Sequence, residues 1–217
     1  MYIDFLKVIS SILVLSLNTA CTNQLENQAL RENTLSTENT SVAANHKSKK
    51  NRPSQKTTTI TIEGENTPVK LQLYQAENLL TTYFPDPDFI AESGSSGEGQ
   101  SVRFIANFGG QKNENAYIHI AFLNDLKNLE QVRKFINDKK GLIASNKWRV
   151  VSQTKKVPYS WSKEKISFSK GKDIIGEIYL GEQKGKVFYV ITHLPVEYGD
   201  GFGARADLIL KNLEIGG

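Results

Sequence analysis

The stretch TTTITIEGENTPVKLQLYQ, residues 57–75, places Ile60 and Ile62 on one side of Gly64-Glu65-Asn66, and Val69, Leu71 and Leu73 on the other. Apolar side chains recur at every second position in both halves, the period at which a strand returns to the same face. Two such runs around a Gly-Glu-Asn turn read as a β-hairpin. The same reading extends along the chain. Alternating or β-rich runs recur at Leu80–Phe84, Gln100–Phe108, Ala116–Leu123, Trp148–Gln153, Lys165–Ser169, Ile174–Leu180 and Val187–Leu194. Turn signals separate them: Pro85-Asp86-Pro87, GSSGEG at 94–99, Gly109-Gly110, Lys170-Gly171-Lys172 and EQKG at 182–185. Strands that follow one another through short turns pair antiparallel, so the expectation is a mainly antiparallel sheet of about six to eight strands.

Two helices are expected among these strands. DLKNLEQVRKFIND, residues 125–138, spaces Leu126, Leu129, Val132, Phe135 and Ile136 for one helical face, with Asn124 or Asp125 as cap and Gly141 as stop. DGFGARADLILKNLEI, residues 200–215, puts Phe202, Ala206, Ile209 and Leu213 on one stripe. Strands, two principal flanking helices and no regular βαβ alternation make the expected class an α+β sandwich. The chain carries no internal repeat.

The 217 residues do not all belong to that sandwich. Residues 22–57 contain no aromatic side chain and are dominated by Asn, Ser, Thr, Gln and Lys, too little apolar surface to offset the entropy of ordering. They are expected to be a disordered linker, which leaves 58–217 as one globular domain of ample size to bury a core. The net charge of +4 follows this division. Arg31, Lys47, Lys49, Lys50, Arg52 and Lys56 face only Glu26, Glu32 and Glu38 in the linker, net +3, and Asp4 cancels Lys7 before it. The domain keeps +1. A near-neutral domain, and a basic cluster HKSKKNRPSQK at 46–56 without interleaved aromatics, give no nucleic-acid surface.

Residues Val8–Leu17 are apolar except for serines. As a helix they rise about 15 Å, half of a ~30 Å hydrocarbon core, which suits a signal peptide over 1–20 and not a membrane span. The one cysteine, Cys21, follows directly. Alone it forms no intramolecular disulfide and no multi-thiolate metal site, and a flexible segment holds no base beside it. Leu17-Asn18-Thr19-Ala20-Cys21 resembles a bacterial lipobox, although Leu17 stands four residues before the cysteine, where the family has its aliphatic residue three before. The resemblance implies cleavage before Cys21 and acylation of it, and acyl chains hold at about 0.8 kcal/mol per buried CH₂. Residues 21–57 would then be a lipid-anchored leash, spanning roughly 30–36 Å as a flexible coil. Thr22 replaces the aspartate associated with inner-membrane retention in enteric-type lipoproteins, which favours the outer membrane.

GEIYLGEQKGKVFYVITHLPVEYGDGFGARADLILKNLEI, residues 176–215, runs from a hairpin through Pro-x-Glu-Tyr into a Phe-containing helix and a terminal Leu-x-Ile. It resembles the PsbP-like group, which includes the photosystem II extrinsic protein, a Ran-binding nuclear transport factor and bacterial lipoproteins. Where that group often shows an early Pro followed by Trp, this chain has Phe89. The resemblance implies a PsbP-like sandwich and a binding or assembly role, with no catalytic residue and no cofactor.

Residue chemistry supplies few rivals. His119 and His193 are the domain's histidines, and with Asp86, Asp88 or Glu197 they would be needed for a metal site, but no HxH or HxxxH spacing joins them. No G-x-S-x-G nucleophile elbow occurs, and GSSGEG lacks the Gly-Lys-Ser/Thr ending of a phosphate loop. GDGFG at 199–203 precedes a helix, with Asp200 expected as its N-cap. Trp148, Tyr159 and Trp161, in the Lys-rich KWRVVSQTKKVPYSWSKEK, are the candidate partner-binding aromatics; packing in the core is the alternative for each. An extracytoplasmic hydrolase or metal-dependent enzyme, and a structural envelope component, are the rival functions.

Overall fold

A computed structural model describes residues 52–76 and 78–216. The expected signal peptide, Cys21 and most of the expected linker lie outside the described residues.

Every strand pairing is antiparallel. Among the described residues eleven strands form two sheets, more than the six to eight expected, and this part of the chain is mainly sheet in place of an α+β fold with flanking helices. The smaller sheet runs in the order β1 (Gln55–Ile62), β2 (Glu65–Ala76), β3 (Leu80–Pro85), β11 (Glu214–Ile215). The larger runs β4 (Phe89–Ser96), β5 (Gly99–Phe108), β6 (Gln111–Leu123), β10 (Lys186–Pro195), β9 (Ile174–Gln183), β8 (Ser162–Lys170), β7 (Arg149–Thr154). Helix α1 spans Leu129–Asn137, a single turn α2 spans Leu142–Ser145, and α3 spans Gly199–Lys211.

The opening hairpin turns at Glu63-Gly64, one residue earlier than the triplet suggested, with Ile62 opposite Glu65. Both turn residues have positive φ, 51° and 85°, the backbone that the favoured two-residue hairpin turn demands and that glycine supplies without strain. Lys184-Gly185 closes the β9–β10 hairpin in the same way. β1 begins at Gln55, inside the segment read as linker. Three polar anchors account for that. Arg52 donates to Thr81 Oγ1 at 2.7 Å and to the Asn212 carbonyl at 3.0 Å; Tyr83 Oη donates to the Pro53 carbonyl; the Leu73 N–H donates to the Ser54 carbonyl.

Strand alternation divides the core. Ile118, Ile120, Phe104, Phe188 and Val190 join Leu80, Phe84 and the α3 stripe Phe202, Ala206, Ile209 and Leu213 in one cluster. Ile166, Ile178, Leu180 and Ile191 point the other way, under Val132 and Ile136 of α1. β10 is buried on both faces from Val187 to Pro195, which is why VFYVITHLP reads as a continuous apolar run. Asn128, not Asn124 or Asp125, caps helix α1: its side chain accepts from the Gln131 N–H at 2.9 Å, while Gln131 Oε1 accepts from the Lys127 N–H, a variant of the capping box that reaches the residue before the cap.

At the C-terminal end of α3 the Asn212 and Leu213 N–H groups make only long bonds to Leu208 O and Leu210 O, at 3.3 and 3.4 Å, and side chains supplement them. The Thr82 hydroxyl donates to Ile209 O at 2.6 Å, the Trp161 indole N–H donates to Leu210 O at 3.0 Å, and the Asn212 amide donates to Leu208 O at 2.7 Å. Side chains from the smaller sheet and the β8 lead-in thus finish the helix and fix its position.

Candidate functional site

Where α3 crosses β8, β9 and β10, a half-open groove of about 390 Å³ remains. Its apolar lining comes from Val151, Ile175, Leu194, Phe202, Ala206 and Leu210. Three glycines shape it. On the far face of β9 the Phe168 ring packs over Gly176, where an added Cβ would lie 2.4 Å from it, so Gly176 presents only backbone to the groove; Gly199 and Gly203 keep the α3 wall low.

Polar groups at the groove are paired with one another. Glu177 and Tyr179 point to the same face because they are two apart in β9, and Tyr179 Oη donates to Glu177 Oε2. Lys165 Nζ reaches Glu177 Oε1 at 2.6 Å, and the Glu177 N–H donates to Thr192 Oγ1 at 3.1 Å. On the helix side Tyr159 Oη donates to Asp207 Oδ1 at 3.2 Å, and Lys211 Nζ lies 2.6 Å from Asp207 Oδ2. Burial first, then the neighbouring carboxylates, push both phenols well above their ordinary range. They therefore act as hydrogen-bond donors throughout the physiological range and not as bases. Two lysine-neutralised carboxylates and two locked phenols frame an apolar floor, the composition of a recognition groove.

Of the three candidate aromatics only Tyr159 reaches this groove. Trp161 is 2% exposed, stacked on Tyr159 at 5.2 Å and held by Leu210 O. Trp148 is 7% exposed and stacked on Phe168 at 4.1 Å. Both tryptophans therefore pack in the core, the alternative that the sequence left open for them. The histidines lie on the opposite face of the sheet from the groove. Thr192 and Leu194 line the groove, so His193 between them points away, and it pairs across the ladder with Tyr117, stacking on it at 4.9 Å. Its Nδ1 lies 2.8 Å from the Asn115 carbonyl and donates to it. His119 shares that face, opposite Arg103 and Ile191. Burial chiefly, with the Arg103 charge, pushes His119 down to about 4; burial also lowers His193.

Asp88 is engaged by Arg205 Nε at 2.6 Å. Among the described residues no group of three His, Cys, Asp or Glu side chains is placed to hold a metal ion, so the two histidines and their candidate carboxylates do not assemble into one site. Asp200 is not the N-cap expected of it. A 3₁₀ turn, Val196–Tyr198, runs straight into α3, the cap is Tyr198, and no side chain caps the helix start.

Sequence reading missed Glu177, Thr192, Gly203 and Asp207. A signal for each half was present. Glu177 and Tyr179 share strand parity, and Gly203, Ala206, Asp207 and Leu210 share helical spacing; nothing in either pattern announces that the two faces meet. Compared with family models and with curated proteins, the chain matches none.

Proposed function

We propose that the chain is a bacterial lipoprotein, anchored through acylated Cys21, whose folded part is a PsbP-like binding or assembly module facing the periplasm or the exterior, with the outer membrane as its site. The α3–β9 groove is its recognition surface. The observation that carries this reading is the groove itself: an apolar floor left open beside α3, whose polar rim is already satisfied by Lys165–Glu177 and Asp207–Lys211 pairs. Such a rim orients an apolar guest without supplying an activated nucleophile. His193, the one histidine adjacent in sequence to groove residues, stands on the far face, which weighs against a hydrolase built on Ser167 or Thr192 hydroxyls.

Gly203→Leu tests the groove. A Cβ at Gly203 meets nothing within 4 Å, and leucine is favoured over glycine in a helix by about 1 kcal/mol. The variant is expected to melt at or above the wild-type temperature and to lose the partner captured by wild-type protein from solubilised membranes. Undiminished capture by the folded variant removes the groove from the account. The anchor is tested separately by fatty-acid labelling: Cys21→Ala is expected to lose both label and membrane fractionation, and retention of both overturns the lipoprotein reading.

A further inference from the structure

The larger sheet ends in a strand whose exposure is unusual. β7 is last in the strand order and pairs only with β8, so among the described residues its outer edge has no backbone partner. Five of its six residues are exposed. Val150 and Val151, 43% and 60% exposed, stand side by side at a bulge, where the register slips between Val150 and Ser152. Exposed valines on an open edge are the feature that proteins ordinarily suppress, because unpaired N–H and C=O groups recruit another strand. The opposite edge, β4, follows the ordinary rule and is polar from Glu92 to Ser96.

Charge narrows what can dock there. From Lys139 to Lys163 the chain has seven cations and no Asp or Glu. Lys147 and Arg149 stand at one end of the strand, Lys155 and Lys156 at the other. Among the described residues Lys147, Lys155 and Lys156 form no ion pair, and Arg149 bonds only the Ser169 hydroxyl, at 3.3 Å. A second copy of this strand would bring like charges together. The chain's own segment HKSKKNRPSQK, 46–56, has the same wrong sign.

We propose that β7 is a docking strand for an extended acidic segment of a partner protein, which adds to the sheet edge through its backbone and sets alternate apolar side chains against Val150 and Val151. Main-chain pairing supplies affinity, and side-chain sites supply selection. The four flanking cations select acidic residues at the ends of the added strand. The proposal deepens the groove reading and rests on it only through Val151, which also lines the groove.

Two synthetic peptides, acetyl-EVEVEVE-amide and acetyl-KVKVKVK-amide, serve as probes on the full-length protein, with vesicles of phosphatidylglycerol as a third arm. The acidic peptide is expected to bind saturably, to slow amide exchange across residues 149–154 by about tenfold or more, and to weaken as salt rises. The basic peptide is expected to do neither. Val151→Asp, which removes the apolar contact and repels an acidic strand at a position exposed enough to leave the fold intact, is expected to abolish the protection. Unchanged exchange in β7 with the acidic peptide, equal binding of the basic one, or protection by vesicles alone overturns the proposal. Gly203→Leu separates the two readings: a variant that still pairs the acidic peptide but captures no membrane partner preserves the docking strand and assigns the partner's main contact to the groove.

Discussion

Arg133→Ala is expected to lower the unfolding free energy by about 1–3 kcal/mol, because it leaves a buried carboxylate under-satisfied. Glu164 lies in β8 with a side chain only 4% exposed, and Arg133 of α1 holds it through Nε and Nη2, both 3.0 Å from Oε2. Gln153 of β7 donates to the other oxygen. This one acid therefore joins the covering helix, the edge strand and β8. Removing the arginine leaves the carboxylate with one neutral donor, and water entering where the 42%-exposed Arg133 side chain stood offsets only part of the lost charge and hydrogen bonds. Arg133→Met with Glu164→Met, which takes away both charges and keeps the volume, is expected to cost far less than the single change. Urea denaturation of the two variants and the wild type checks this. A single-variant loss below about 1 kcal/mol would place Glu164 in effective contact with solvent, at the value of a surface pair.

Between pH 7 and pH 5 the protein is expected to lose about 2 kcal/mol of stability through His119 alone. The folded state resists protonating this ring and holds its pKa at about 4, against 6.5 in the unfolded chain. Below 6.5 the unfolded state takes up the proton first, so stability is fully present above that value and declines as pH falls toward 4. His193, also lowered, adds in the same direction. His119→Gln is expected to flatten the slope over this window, measured by denaturant titration at several pH values. An unchanged slope would mean that the ring protonates in place, with no penalty from its burial or from Arg103.

Much of the fold was legible because local chemistry and tertiary structure agree. Gly64, Gly109-Gly110 and Gly185 mark hairpin turns whose backbones require positive φ, and the stripe Phe202, Ala206, Ile209, Leu213 is buried as spaced. The failures have physical causes. β4 was not recognised because IAESGSS is an exposed edge strand, with no buried face to impose alternation. β1 was begun too late because QKT is polar and is ordered by hydrogen bonds that Arg52, Pro53 and Ser54 make with β2, β3 and Asn212, more than 15 residues away. Trp161 stayed open between recognition and packing because a Lys-rich, Pro-containing neighbourhood is common to loops and to binding surfaces; its indole N–H finishing α3, 49 residues on, has no local signature. The groove is illegible for the same reason. Its walls come from β7, β8, β9, β10 and α3, and each contributes a pattern that reads as ordinary core.

The central claim, that the groove beside α3 is where this protein meets its partner, is most directly tested by photocrosslinking in living cells. A benzophenone side chain placed at position 203, whose Cβ direction is empty, is compared with one at Ser95, exposed on the opposite sheet edge. Irradiation is expected to give a discrete adduct from position 203 and none from position 95. Adducts from position 95 alone, or equally from both, would contradict the account.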